Sequence, residues 1–328
     1  MMFLELEYNF REREDKLSYE EEKSEKKNIS INKEEYPFNF KYNTTITSDL
    51  FTRNFYNNRA CIFTYSKDNN VYVAYGVKNT FDLECYNALY DKKFIIIKEL
   101  HKQSFDSCRY FYDELQNIDL IITASLDSHV KVINFLKENS EIILDLNFET
   151  NTATKKIINT AYYIHQCVLV PFSNVKKGKV DFYRIKYDIF KTHSFIGGIR
   201  ENAGFILGLS HYFNEKRRVH YALIANKDGI FAYCIDNLKF PELYHKFIPD
   251  LDEEEKKKNC FGEAFVIEKG DSVILIGPSF TYGYLFFWDF FKGDLLHLMK
   301  LVSGISDICL WDNNYLFASL YKSTSQLF

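Results

Sequence analysis

The sequence Gly283-Tyr284-Leu285-Phe286-Phe287-Trp288-Asp289, followed by Phe290-Phe291-Lys292-Gly293-Asp294-Leu295-Leu296, is the clearest copy of a pattern that recurs along the chain. Each copy has a small turn and then a strand that ends in an aromatic residue or in a substitute for one. The copies return about every fifty residues and consist of short alternating strands. A repeat of this length and composition indicates radially stacked four-stranded blades.

Five copies place the aromatic position at residues 86, 133, 183, 234 and 288, with spacings of 47, 50, 51 and 54 residues. Before each copy lies an apolar strand at the same offset: Val71–Tyr75, Leu120–Ala124, Cys167–Pro171, Tyr221–Ala225 and Val273–Gly277. Such regular spacing is not expected of an unrelated β-sandwich, which is the alternative all-β fold. The sequence therefore predicts an all-β propeller of six or seven blades.

The last copy is shorter than the others. It begins at Ile305, and the chain stops at Phe328, about where the third strand should run. Three explanations stay open. An N-terminal strand, Phe3–Tyr8 or Phe38–Tyr42, completes the last blade; residues 36–59 supply most of another blade; or the chain is a fragment and the propeller is incomplete at its C-terminus.

The composition supports a β-rich domain and limits the classes of partner. Of the 328 residues, 46% are hydrophobic and 17% are aromatic, which favours strands. The 41 basic and 45 acidic residues give a net charge of −4, so there is no broad electrostatic case for nucleic acid or an anionic membrane. The seven cysteines form no CxxC pair, so neither a zinc site nor a disulfide framework is indicated, and buried thiols in a reducing compartment are expected.

Charge patterns divide the chain into two regions. Residues 1–59 form an N-terminal extension in which the segment 11–35 is dense in Glu, Lys and Arg and reads as a charged linker. Residues 60–328 form the propeller, and within them the charged run Asp250–Lys258 reads as a solvated loop. No signal peptide and no apolar run of 18 residues occurs, so no transmembrane segment and a cytoplasmic or nuclear location are expected.

The repeats resemble WD40 repeats. Trp288-Asp289 matches the dipeptide that ends the third strand of a blade in that family, and Lys292–Leu296 is similar to its turn into the fourth strand. The segment His101–Tyr110 matches the family's histidine with apolar residues four, seven and nine places later. Tyr86, Ile133, Tyr183 and Cys234 take the place of the tryptophan in the other copies.

The resemblance implies a hydrogen-bonded framework that braces a blade. Carried over to this sequence, it joins His101, Ser125 and Asp127, with Ile133 at the tryptophan position. Asp228 occupies the same turn position in another copy, and Trp288 with Asp289 completes the framework residues. Independently of the family, a turn carboxylate can accept both a backbone N–H and a charge-assisted bond from imidazole.

No sequence motif indicates catalysis or a bound cofactor. GxGxxG, P-loop, HExxH and GxSxG are absent, and the eight histidines have no metal-ligand spacing, so no catalytic residue, metal or cofactor is predicted. The expected function is a non-enzymatic scaffold that presents propeller loops to other proteins within a multi-protein complex. Alternatives are a hydrolase with a loop-built site, or a phosphoinositide or nucleic-acid binder through the basic loops at Lys216, Arg217 and Arg218 and at Lys176-Lys177.

Overall fold

The structure is a computed structural model that describes most of the propeller region. The described residues are 2–7, 39–45, 61–77, 80–87, 90, 92–103, 105–148, 160–173, 178–186, 192–203, 205–301, 304–311 and 315–320. The predicted charged linker 11–35 and the pair Lys176-Lys177 lie outside these residues.

The described residues form six four-stranded sheets, and every strand pairs antiparallel with its neighbours. We number these sheets blades 1 to 6 in chain order. Blades 1 to 4 belong to the compact unit Ser48–Ile248, and blades 5 and 6 belong to the unit formed by Met1–Thr47 and Pro249–Phe328. The number of sheets agrees with the lower end of the predicted range.

The first unit holds four sheets in which consecutive strands are neighbours. Blade 1 contains β3 to β6: Cys61–Thr64, Val71–Gly76, Leu83–Asn87 and Lys92–Ile97. Blade 2 contains β7 to β10: Phe105–Asp113, Ile118–Ser125, His129–Asn134 and Glu141–Asn147. Blade 3 contains β11 to β14: Tyr162–Ile164, Cys167–Ser173, Gly178–Ile185 and His193–Ala203. Blade 4 contains β15 to β18: Gly208–Asn214, Val219–Ala225, Ile230–Cys234 and Glu242–Phe247.

The second unit holds one sequential sheet and one sheet built from both ends of the sequence. Blade 5 contains β19 to β22: Phe265–Lys269, Ser272–Pro278, Tyr284–Asp289 and Leu295–Lys300. Blade 6 contains β23 (Ile305–Trp311), β24 (Tyr315–Leu320), β1 (Met2–Glu7) and β2 (Asn39–Thr45), in that spatial order. Strand β1 therefore takes the third place of the blade.

The third strand of each of the first five blades coincides with a predicted copy of the repeat, so the predicted pattern is confirmed. The physical reason is the period of two in a strand, which places alternate side chains on opposite faces. In blades 1 to 5 most second-strand residues are buried on both faces, and this explains why their sequences read as continuous apolar runs.

The hydrophobic core is divided into layers that lie between neighbouring blades. Separate clusters join blade 1 to blade 2, blade 2 to blade 3, blade 3 to blade 4, and blade 5 to blade 6. Within each unit, consecutive blades thus bury apolar side chains against each other, as expected of stacked repeats.

Two local predictions are wrong. The run Asp250–Lys258, expected to be a solvated loop, contains a short helix, α1 (Glu253–Lys258). Its N-cap residue is Asp252, whose carboxylate accepts a hydrogen bond from the Glu255 N–H at 2.7 Å. The aromatic position of blade 4 is Tyr233 and not Cys234. Tyr233 pairs with Ala222, three residues before the end of β16, just as Trp288 pairs with Leu275, three residues before the end of β20, and Tyr233 is buried.

Candidate functional site

A buried hydrogen-bond network links blade 2 to the segment that enters it. His101 precedes β7, and its Nδ1 lies 3.1 Å and 3.2 Å from the two carboxylate oxygens of Asp127. The Nε2 atom of the same ring lies 2.9 Å from the hydroxyl of Thr123. Because a carboxylate accepts, Nδ1 carries the proton and donates to Asp127, and Nε2 accepts from Thr123. The ring therefore fixes the entering segment to strand β8 and to the turn that follows it.

The Asp127 carboxylate also accepts two backbone hydrogen bonds, from the N–H of Lys102 at 2.8 Å and from the N–H of His129 at 3.1 Å. Burial raises the pKa of Asp127, but the hydrogen bonds from His101 and Lys102 outweigh burial, so this pKa lies well below its ordinary value. Burial lowers the pKa of His101, and the contact with Asp127 offsets only part of this effect. At neutral pH the pair is a neutral imidazole and a carboxylate.

Thr123 supplies the hydroxyl that the sequence analysis assigned to Ser125. The Ser125 hydroxyl donates to the carbonyl of Gln103 at 3.1 Å and accepts from the Asp127 N–H at 3.3 Å. Ser125 therefore connects the same entering segment to the same turn, through the backbone of Gln103. The geometry brings His101, Ser125 and Asp127 together and adds Thr123.

Asp228 does not repeat the arrangement of Asp127. Its side chain is 56% exposed and lies 3.9 Å from the Lys227 ammonium. In this turn the buried Asn226 accepts hydrogen bonds from the N–H groups of Asp228 and Gly229 at 2.8 Å and 3.1 Å. In blade 4, four residues separate the paired residues Ala225 and Ile230, whereas in blade 2 five residues separate Ala124 and Val130. In the shorter turn of blade 4, Asp228 lies at the exposed tip.

Trp288 and Asp289 stabilise blade 5 in different ways. The Trp288 ring is buried and stacks on Phe286, with the ring centroids 5.3 Å apart. The Asp289 carboxylate accepts from the N–H groups of Phe291 and Lys292, each at 2.9 Å, and so closes the turn into β22. In this blade the aromatic residue fills the core and the aspartate shapes the turn.

The predicted basic cluster forms the tip of a hairpin. Lys216, Arg217 and Arg218 connect β15 to β16 and are exposed. The Arg217 N–H donates to the Asn214 side chain at 2.7 Å, and Arg218 has a φ of 55°, in the left-handed region. The turn geometry explains the placement of these residues without any ligand.

Four further histidines contact side chains of the protein: His129, His165, His211 and His220. His129 has its Nδ1 2.7 Å from the Asp145 carboxylate. His211 Nε2 lies 2.9 Å from His220 Nδ1, and His165 packs edge-on against His220. Burial, followed by the charges of the two neighbouring histidines, lowers the pKa of His211 to about 3. Burial also lowers the pKa of His220, so His211 and His220 are neutral at neutral pH, and the three rings pack between blades 3 and 4.

Sequence reasoning did not identify an exposed apolar surface on the outer strand of blade 4. We call Phe240, Leu243 and Ile248 the blade 4 rim. Phe240 is 72% exposed, Ile248 is 53% exposed, and Leu243 lies between them on β18. Strand β18 ends its sheet, and within the described part of the chain no strand pairs with its outer side. The alternation of residues alone could not show this, because exposure here depends on which strand ends the sheet.

The rim rests on a rigid support from blade 3. The segment before β18 lies so close to strand β14 that a Cβ atom added at Gly197 would be 2.5 Å from the Leu238 carbonyl oxygen. Phe195, two residues before this glycine, is 52% exposed, and the Arg200 guanidinium lies 5.2 Å from the centre of its ring. The exposed apolar side chains are therefore held on packed backbone.

The described residues contain neither a candidate metal site nor a candidate membrane-spanning helix. No group of three or more His, Cys, Asp or Glu side chains there could hold a metal ion. None of the helices in the described part of the chain is long and apolar enough to cross a membrane.

Comparisons with known proteins show the fold. No family model matches the sequence, and no curated protein matches it. The structure is similar to the β-propeller domain of Myceliophteria thermophila Cps50 (Swd1), with a TM-score of 0.54 and 11% identity over 79% of this chain and 82% of that one. A chain of a mitotic checkpoint complex matches with a TM-score of 0.47 and 9% identity over 72% of this chain. That match covers 65% of the other chain, so this chain spans slightly less than two thirds of its length. The fold is that of a β-propeller, as the sequence predicted.

Proposed function

We propose that this protein is a non-enzymatic scaffold that binds partner proteins, and that the blade 4 rim is a docking site for one of them. The observation that carries the proposal is the exposure of large apolar side chains along β18, which is the last strand of its sheet among the described residues. Such an edge offers backbone donors and acceptors to an added strand, and flanking apolar side chains give that strand a hydrophobic contact.

The chemistry of the rim favours a peptide in an extended conformation. Consecutive residues of a strand point to opposite faces, and Glu242, Leu243 and Tyr244 are all exposed. Both faces of β18 are thus accessible at its beginning. A partner segment with alternating apolar residues would pair with the backbone of β18 and place its side chains beside Phe240 and Leu243.

Rigidity supports the same function. Binding costs less when the surface is already in its bound conformation. The contact at Gly197 and the packing of the blade cores fix the position of the rim before any partner arrives. This rigidity supports the proposed scaffold function, which requires no reactive group.

The other two functions that the sequence left open have weaker support. The basic hairpin Lys216–Arg218 offers three cations at a turn, but the tip is explained by its own hydrogen bonds. For a hydrolase, the best-placed candidates are His101 and Asp127, and both are buried within a network that satisfies them. A turnover that is abolished by changing one exposed histidine or aspartate would overturn the scaffold proposal.

The proposal is tested by comparing partners of the tagged chain in its native cell. Wild type, the double variant Phe240→Ser with Ile248→Ser, and the control Leu115→Ser are purified in parallel. Leu115 lies on blade 2 and is 71% exposed, so the control removes a similar apolar side chain elsewhere. We expect a stoichiometric protein with wild type and with the control, and its loss with the double variant.

Two outcomes contradict the proposal. If the same partner remains bound to the double variant, the rim is not its docking site. If no protein accompanies wild type at a stoichiometric level, the scaffold function itself is unsupported. Circular dichroism of each variant shows whether loss of binding reflects loss of the fold.

A further inference from the structure

Two cysteines from neighbouring blades lie side by side. Cys61 is on β3, the first strand of blade 1, and Cys108 is on β7, the first strand of blade 2. Their sulfur atoms are 3.6 Å apart, although the residues are 47 positions apart in the sequence. Both are free thiols. No spacing rule connects these two positions, so sequence alone did not indicate that the two thiols are neighbours.

The surroundings leave one thiol accessible and one covered. Cys61 is half-buried, and its neighbour Ile62 is 63% exposed on the same strand. Cys108 is buried, and its sulfur lies 3.7 Å from the carbonyl oxygen of Ala74, the residue that pairs with Cys61 in blade 1. The hydrogen bond to Cys108, together with burial, raises the pKa of Cys61 well above that of an ordinary thiol, so Cys61 is protonated at neutral pH.

We propose that Cys61 and Cys108 are a disulfide-forming pair that links blade 1 to blade 2 covalently when the protein meets a hydroperoxide. As it loses its proton, the Cys61 sulfur attacks one peroxide oxygen, the O–O bond breaks, and an alcohol or water leaves with that proton. The Cys61 sulfenic acid is then attacked by the Cys108 sulfur, the S–O bond breaks, and water leaves. The two thiols lose two electrons and two hydrogens, and the hydroperoxide is reduced by the same two electrons.

The geometry allows the second step with a small movement. A disulfide has a sulfur–sulfur distance of about 2.05 Å, so the two sulfurs must approach by roughly 1.5 Å. Strands β3 and β7 belong to different sheets and are not joined by ladder hydrogen bonds. Rotation of the Cys61 side chain and a slight shift between the blades can therefore close the gap without breaking either sheet.

The test treats the folded, full-length protein with hydrogen peroxide and blocks the remaining thiols by alkylation before digestion. We expect mass spectrometry to find the peptides containing Cys61 and Cys108 joined by a bond that dithiothreitol cleaves. Cys61→Ser and Cys108→Ser should each remove this linked pair. Cys85→Ser is the matched control, because Cys85 also pairs with Ala74 but belongs to the same sheet as Cys61. In this variant the peptides containing Cys61 and Cys108 should still be found linked.

Two results would overturn the proposal. One is recovery of the Cys61 and Cys108 peptides from wild type as separate alkylated or sulfonic species after peroxide treatment. The other is a linked pair between Cys61 and Cys85 that forms in preference to the one with Cys108. Both are read on wild type, so failure of a serine variant to fold does not affect them.

Discussion

Replacing Asp127 by alanine should destabilise the protein strongly, whereas the same change at Asp228 should have almost no effect. The sequence places both aspartates in equivalent turns, but only the Asp127 carboxylate is buried and accepts three donors: His101 Nδ1 and the N–H groups of Lys102 and His129. Each hydrogen bond to a charged acceptor contributes about 1.5–3 kcal/mol. Water that reaches the two backbone groups recovers part of this, so we expect a loss of roughly 3–5 kcal/mol. The exposed Asp228 should change the free energy of unfolding by less than about 0.5 kcal/mol.

The assay is equilibrium urea denaturation followed by circular dichroism and tryptophan fluorescence. The two probes must agree before a single free energy is quoted. The pH dependence adds a second check on Asp127. A carboxylate whose folded pKa is depressed stabilises the protein above its unfolded pKa of about 4, and this stabilisation is lost as the pH falls through the folded pKa. The difference between wild type and Asp127→Ala should therefore shrink below about pH 4. Equal effects of the two substitutions, or a loss below about 0.5 kcal/mol for Asp127→Ala, would refute the reasoning.

Three further predictions concern the core, the histidines and the blade contact. Trp288→Ala should cost about 3–5 kcal/mol in urea denaturation, because it empties a buried site beside Phe286; a loss near zero would contradict the packing. Burial lowers the pKa of His211 to about 3, so wild type should lose stability as the pH falls from about 6.5 towards that value. His211→Gln should make the melting temperature less dependent on pH over this range. A variant whose melting temperature depends on pH as strongly as that of wild type would contradict the prediction. Gly197→Ala should cost about 1–3 kcal/mol by the same denaturation assay, because the new Cβ meets the Leu238 carbonyl oxygen, and a neutral result would show that the blades are not in contact there.

The repeat could be predicted from sequence because it rests on local alternation. Each third strand was located from its turn and its alternating apolar residues, and the structure places a strand at each of those sites. The C-terminal copy also indicated that another segment was needed. Which segment fills the place depends on pairing between residues more than 300 positions apart, such as Phe3 with Phe317, and no local pattern reports this.

The errors at the framework have a common cause in register. Thr123 and Ser125 are two residues apart on one strand and point to the same face, so their sequence gives no preference between them. The turn of blade 4 is one residue shorter than that of blade 2, and counting from the glycine moved the aromatic position from Tyr233 to Cys234. In the same shorter turn, Asp228, which the sequence placed at the position of Asp127, is an exposed side chain.

The short helix Glu253–Lys258 was missed because six residues are too few for a helical period to show in the sequence. The blade 4 rim was missed for a different reason. Exposure of Phe240 and Ile248 is a property of the sheet edge and of the neighbouring blade, and apolar residues at such positions read as core residues in the sequence alone.

Hydrogen exchange of the protein with its co-purified partner tests the central claim most directly. Amide exchange across Glu242–Phe247 is compared by mass spectrometry in the free protein and in the complex. If a partner strand adds to the edge of blade 4, amides of β18 should become protected in the complex, with unchanged exchange at the basic hairpin Lys216–Arg218. Protection confined to that hairpin or to other blades, with β18 unchanged, would contradict the account.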